Sequence, residues 1–118
     1  MPVNAALVAV NKALSLVDWA ILVVRLALND NPAPDDAIKL NDLLADLQTL
    51  RDRLDAQRTQ LNSSGQTIPP PEPALISEVQ SLTARVQAAT HAGATVSARL
   101  AVAGEALTLT TRVMTHFG

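Results

Sequence analysis

Residues 3–28 read VNAALVAVNKALSLVDWAILVVRLAL, and one set of apolar side chains in this stretch recurs at alternating spacings of three and four residues. This row consists of Val3, Leu7, Val10, Leu14, Val17, Ile21, Val24 and Leu28. Such spacing places all members of the row on one face of an α-helix, where they can pack against neighbouring helices. The stretch therefore predicts a first helix over about residues 3–29.

The same spacing recurs in two later stretches of the chain. The second row contains Leu40, Leu43, Leu47, Leu50, Leu54, Gln57 and Leu61, and the third row runs from Leu75 to Phe117 without a change of phase. Asparagines and prolines after the first helix, and a Ser-Gly and proline-rich segment after the second, interrupt the pattern. We predict one all-α domain over residues 1–118, with loops near 30–35 and 62–73. Its architecture is expected to be an antiparallel bundle of three long helices with coiled-coil-like packing.

Gly93 leaves the number of helices open. It lies in the small-residue run AATHAGA at residues 88–94, where a third helix could end and a fourth begin. The unbroken phase favours one continuous helix of about 69 Å, against about 40 Å for each of the other two helices. Such a helix would extend beyond its own hairpin, and a second copy of the chain is the simplest cover for it. A split at Gly93, giving four helices, is the alternative.

A flanking row of small residues in the third stretch bears on how closely helices can approach. Its members are Thr83, Thr90, Ser97, Gly104 and Thr111. Small side chains let neighbouring helix axes come close together. We expect a close helix contact at Gly104, which a leucine at this position would disrupt by a steric clash.

The first helix has more apolar surface than one packing face can use. Away from its first row lie five further large apolar side chains: Leu16, Trp19, Leu22, Val23 and Leu26. In a monomeric bundle these would expose on the order of 500 Å², which is at the upper end for ordinary monomers. We therefore predict that they form the interface of a homo-oligomer, preferably a dimer. Burial beneath the long linker or a split fourth helix is the alternative, and lipid or a foreign protein partner is a third.

Composition excludes several classes of function. The chain has 118 residues, of which 48% are hydrophobic and 17% charged, and this balance is typical of a folded domain rather than a disordered one. It has no cysteine, so disulfides and thiolate metal sites are excluded. Its formal net charge is -2 and its basic residues are scattered, which argues against a nucleic-acid partner.

No arrangement of reactive residues indicates catalysis. His91 and His116 are far apart in sequence, and neither has a carboxylate within four positions. Asp42 and Asp46 lie one turn apart but belong to a stretch interleaved with arginines, as on a solvated helix face. We predict no catalytic, metal-binding or cofactor-binding residue, and the protein is not expected to be an enzyme. A small enzyme or carrier of an apolar ligand in the bundle core is a minor alternative.

The N-terminal stretch lacks the features of a secretory signal. Its first residues carry no basic cluster, and Lys12, Asp18 and Arg25 interrupt the apolar run. We expect a cytoplasmic protein that serves as a non-enzymatic structural or protein-interaction module and self-associates through helix one. The alternative is reversible binding to a membrane or lipid surface, which the narrow, lysine-poor polar face of this helix disfavours.

Overall fold

The computed structural model describes residues 4–63 and 68–118, and in these two ranges the chain forms four α-helices and no strand. The helices are α1 (Ala5–Leu28), α2 (Pro34–Ser63), α3 (Pro73–Ala88) and α4 (Val96–Phe117). The all-helical fold class is thus confirmed. Residues 64–67 of the predicted second loop, and Val3 at the predicted start of helix one, lie outside the described residues.

Asparagine and proline residues define both ends of α1 and the start of α2. Before α1, the side chain of Asn4 accepts a hydrogen bond from the backbone N–H of Leu7 (3.1 Å), which satisfies a donor of the first turn. After α1, Asn31 adopts a left-handed conformation with φ of 49°, which asparagine tolerates better than most residues. Pro34 is the first residue of α2, where a missing N–H is harmless. The loop between α1 and α2 therefore comprises residues 29–33.

The prediction of one continuous third helix is wrong, because the chain turns between α3 and α4. Thr95 caps α4 by accepting a hydrogen bond from the N–H of Ala98 (3.0 Å). From the first turn of α4, the buried Arg99 reaches back, donating from Nε to the carbonyl of Ala89 (2.9 Å) and from Nη2 to that of His91 (3.0 Å). These carbonyls lie at and just beyond the end of α3, where helix carbonyls lack partners and attract a cation. The guanidinium therefore stabilises the break, and α4 folds back onto its own chain.

The four helices pack around α1 and α4. Each of these two helices contacts all three others, whereas α2 and α3 share no contact within the described residues. The cross-section is therefore a rhombus with α1 and α4 on its short diagonal. The alanines Ala6, Ala13, Ala20 and Ala27, spaced every seventh residue along α1, are all fully buried. Their small side chains allow the close approach of neighbouring helices that a central helix needs.

Candidate interaction surfaces

The structure separates the five predicted interface residues of α1. Leu16 and Val23 are fully buried in the core of the same chain. Trp19 and Leu26 are half-buried, and Leu22 remains exposed at 41%. Because α1 packs against three helices of its own chain, most of the surplus apolar surface is covered internally. We refer to the remaining outward-facing residues, Trp19, Leu22 and Leu26, as the α1 edge.

An ion pair borders the α1 edge on the side of α2. Arg51 Nε donates a hydrogen bond to Asp18 Oδ1 at 2.6 Å, and both side chains are about half exposed. This hydrogen bond, followed by the attraction of the same carboxylate, raises the pKa of Arg51 above its usual value. Two shallow grooves of about 540 and 460 Å³ lie between α1 and α2, and both are lined by Asp18 and Leu22. Leu22 thus lies between these grooves.

An exposed arginine, Arg25, lies about one turn beyond Leu22 on the same helix. Arg25 is exposed and lines one of the two grooves. It forms no ion pair with any residue in 4–63 or 68–118. The α1 edge, with its partly exposed indole and exposed leucine, is therefore adjacent to an arginine that lacks an acidic partner among the described residues.

A second surface lies on the outside of the hairpin formed by α3 and α4. It is an open groove of about 690 Å³. Its lining comprises Ser77, Glu78, Ser81, Leu82, Arg85, Gly104, Glu105, Thr108 and Leu109. Leu82 and Leu109 are buried and form the floor of the groove. The serines, Gly104 and Thr108 contribute only small side chains to its lining. We call this surface the hairpin face.

Two ion pairs cross the hairpin face. Arg85 Nη2 lies 2.9 Å from Glu105 Oε2, and Arg112 Nη1 lies 3.4 Å from Glu78 Oε2. All four side chains are at least half exposed. As residue numbers rise along α3, the paired residues fall along α4, so each acid faces a base across the groove.

The hairpin face is built from an internal repeat that the heptad spacing does not reveal. The segment EVQSLTARV at residues 78–86 matches EALTLTTRV at 105–113, with Glu, Leu, Thr, Arg and Val identical at corresponding positions and Ser replaced by Thr. The shift between the two copies is 27 residues, which is one residue short of four heptads. A search for self-similarity, rather than for a heptad phase, would have found it.

Gly104 does not make the expected close contact with another helix in the part of the chain that the structure describes. Among the described residues, a Cβ atom built at this position would meet no side chain and no other helix within 4 Å, so the glycine opens onto the groove. A glycine inside a helix is less favourable than alanine by about 0.5 to 1 kcal/mol. No helix packing inside the described parts of the chain compensates for this loss.

The histidines and acidic residues are dispersed. Within the described ranges, no three His, Cys, Asp or Glu side chains lie close enough together to hold a metal ion. His91 is exposed in the turn between α3 and α4. His116 donates from Nε2 to the carbonyl oxygen of Pro69 at 2.8 Å, which ties the end of α4 to the segment before α3.

Comparisons of this chain with protein-family models, with curated proteins and with solved structures found no match.

Proposed function

We propose that this protein is a non-enzymatic structural or protein-interaction module that self-associates through the α1 edge. The observation that carries the proposal is the exposure of Leu22, one of two large hydrophobic side chains, with Ile38, that lie exposed in residues 4–63 and 68–118. It is flanked by the half-buried Trp19 and Leu26 and by Arg25, which forms no ion pair within residues 4–63 and 68–118. A chain without cysteine suits the reducing cytoplasm, which is the compartment we propose.

The architecture we propose for this module is an antiparallel, coiled-coil-like bundle. The opposed numbering of the Glu78–Arg112 and Glu105–Arg85 pairs supports opposite directions for α3 and α4. The buried row of α2 supports heptad-like packing. It contains Leu40, Leu47, Leu50, Leu54, Gln57 and Leu61, all from the predicted row.

The α1 edge is complementary to itself. When the α1 helices of two copies pack antiparallel with Leu22 against Leu22, Trp19 and Arg25 face one another across the interface. They do so because each lies three residues from Leu22, on opposite sides of it. The arginine of one copy can then stack on the indole of the other, a favourable cation–π contact. The arrangement has the twofold symmetry of most homodimers.

The small apolar area that the α1 edge exposes indicates a weak dimer. The sequence-based estimate of about 500 Å² of exposed apolar surface included Leu16 and Val23, which the chain buries itself. A stable interface buries about 800 Å² per partner, more than three partly exposed side chains offer. We therefore expect association at high protein concentration only, with a fast exchange between monomer and dimer.

Leu22→Asp tests the proposal against a matched control. The control is Ile38→Asp, which places the same charge on α2 at an isoleucine that is 61% exposed. We expect Leu22→Asp, but not Ile38→Asp, to lower the mass measured by sedimentation equilibrium across a concentration series, with both variants retaining wild-type helicity. Equal masses for the wild type and both variants would contradict a role for the α1 edge.

A second candidate is reversible binding to a lipid surface. α1 is long and apolar enough to cross a membrane by length and composition, although more than half of its most apolar window is buried in the bundle. Lipid binding would require α1 to leave the bundle and expose Leu16 and Val23 to the bilayer. Flotation with anionic liposomes distinguishes the two candidates, since a lipid binder co-migrates with vesicles and a self-associating module stays behind with its mass unchanged.

A further inference from the structure

We propose that the hairpin face binds the hairpin face of a second copy of this chain, by matching the alternating charges at its corners. This interface is separate from the α1 edge and uses a different pair of helices. It shares with the proposed function only the premise that the chain self-associates.

The charges along α3 and α4 have the same spacing. Glu78 precedes Arg85 by seven residues on α3, and Glu105 precedes Arg112 by seven residues on α4. Seven residues are about two helical turns, so each acid and its base lie on one side of their helix about 10.5 Å apart.

The charges of α3 and α4 are also ordered across the groove. The two ion pairs place each glutamate opposite an arginine of the other helix. The four charges therefore occupy the corners of a square-like pattern in which signs alternate along every edge. The pattern has no net charge, and turning the hairpin by 180° about an axis through the centre of the groove exchanges Glu78 with Glu105 and Arg85 with Arg112.

Two copies of this pattern match when the helices of the two hairpins are aligned. A twofold axis that lies in the interface, either along the helices or across them, brings every glutamate of one copy over an arginine of the other. An axis at about 45° to the helices instead leaves like charges facing each other. The charges thus favour aligned hairpins, and like-charge contacts suppress the crossed arrangement.

The centre of the face allows a close approach. Ser77, Ser81, Gly104 and Thr108 have small side chains, and a Cβ built at Gly104 would meet no side chain and no other helix within 4 Å among the described residues. Between them lie Leu82 and Leu109, corresponding residues of the internal repeat. A second hairpin can therefore rest on the low centre while the longer charged side chains meet around it.

The area of the face sets the expected strength. α3 has 16 residues, so the shared part of the hairpin is about 24 Å long and about 20 Å wide, or on the order of 500 Å². This is below the about 800 Å² per partner of a stable complex. The dimer is therefore weak and favoured by low ionic strength, because its charges are exposed and screened by salt.

A foreign partner would need to reproduce both signs of charge at this spacing, whereas a second copy carries the pattern already. Two self-complementary faces on one chain have a structural consequence. Together with the α1 edge, the hairpin face lets the protein build either a closed tetramer or an open chain of dimers.

The experiment isolates the hairpin face in a Leu22→Asp background, where the α1 edge is blocked. An all-acidic variant carries Arg85→Glu and Arg112→Glu, and an all-basic variant carries Glu78→Arg and Glu105→Arg. We expect each variant alone to dissociate at least about ten-fold more readily than the Leu22→Asp parent. Mixing the two in equal amounts is expected to restore a heterodimer, seen by sedimentation and by native mass spectrometry.

The control places the same charge change elsewhere. The double variant Lys39→Glu and Arg53→Glu alters two exposed positions of α2. Its dissociation constant is expected to stay within about two-fold of that of the Leu22→Asp parent. Circular dichroism shows whether each variant keeps the helicity of the parent, and the mixing result itself requires folded hairpins.

The outcomes separate this inference from the proposed function. A wild-type chain that is monomeric at every concentration overturns self-association and both interfaces. A wild-type chain that associates while the Leu22→Asp parent is monomeric overturns the hairpin face alone, and so does a mixture in which no heterodimer forms. A further outcome is that the charge variants lose association and regain it on mixing, while Leu22→Asp alone has no effect. This result supports the hairpin face as an interface and contradicts the α1 edge as one.

Discussion

α1 and the α3–α4 hairpin differ in how much of their surface the chain itself covers. α1 carries the most apolar stretch of the sequence, yet its large side chains pack mainly against three helices of the same chain. The hairpin is less apolar, but its outer face, with two exposed ion pairs and a glycine facing open space, has no neighbour within the described residues. High apolar content therefore identifies the core here. The residues that core packing does not explain identify the free surface.

Val23→Asp is expected to have the largest effect, and it tests the buried side of α1. Val23 is fully buried, so the substitution places a carboxylate in an apolar core without a partner. We expect the free energy of unfolding to fall by at least about 4 kcal/mol, a large part of the about 5 to 15 kcal/mol of a typical domain. Urea unfolding followed by circular dichroism measures it.

The neighbouring position gives the control for this experiment. Leu22→Asp lies one residue away on the exposed side and is expected to change stability by less than about 1 kcal/mol. Equal losses at both positions would break the distinction between the inner and outer sides of α1. Val23→Asp is thus a probe of folding, and only the outer positions report on association.

Arg99→Ala tests why the hairpin turns where it does. The substitution removes two charged hydrogen bonds, to the carbonyls of Ala89 and His91, together with a buried aliphatic stem. We expect a loss of about 2 to 4 kcal/mol and faster amide hydrogen exchange in residues 89–95. Arg53→Ala removes an exposed arginine of α2 and is expected to stay within about 0.5 kcal/mol. A similar stability for both variants would show that the turn does not depend on Arg99.

The helical class was readable from local spacing, because burial along one helix face follows the periodicity of the chain. In α2, every member of the predicted row except the half-buried Leu43 is buried. The turn after α3 was not readable in this way. It depends on Arg99 reaching back ten residues to the carbonyl of Ala89, a contact that leaves no periodic signal.

The two surfaces were predictable to different extents. The apolar residues of the α1 edge could be recognised in the sequence. The number of helices packed around α1 is a tertiary property that the sequence pattern does not give. Because α1 contacts three helices, Leu16 and Val23 are core residues. The repeat of the hairpin was present in the sequence. Its 27-residue shift falls one residue short of the heptad register, so the two copies do not share one heptad phase.

Adjacent positions on α4 give a sharper contrast of covered and free surface. Ala103 is fully buried, so Ala103→Leu overpacks the core, and we expect it to reduce stability by about 1 to 3 kcal/mol. Gly104→Leu meets open space instead and is expected to leave the monomer as stable as the wild type or up to about 1 kcal/mol more stable. Thermal unfolding of dilute samples measures both. A large loss for Gly104→Leu would mean that the groove is closed within the chain.

The smallest expected effect concerns the Glu78–Arg112 pair, and it depends on protein concentration. In dilute solution, a double-mutant cycle with Glu78→Gln and Arg112→Gln is expected to give a coupling of about 0.2 to 1 kcal/mol, because both side chains are more than half exposed and screened by solvent. In concentrated samples each charge also faces an opposite charge of the second copy, so the coupling measured from unfolding should increase. A coupling that is the same at both concentrations would restrict this pair to a role within its own hairpin.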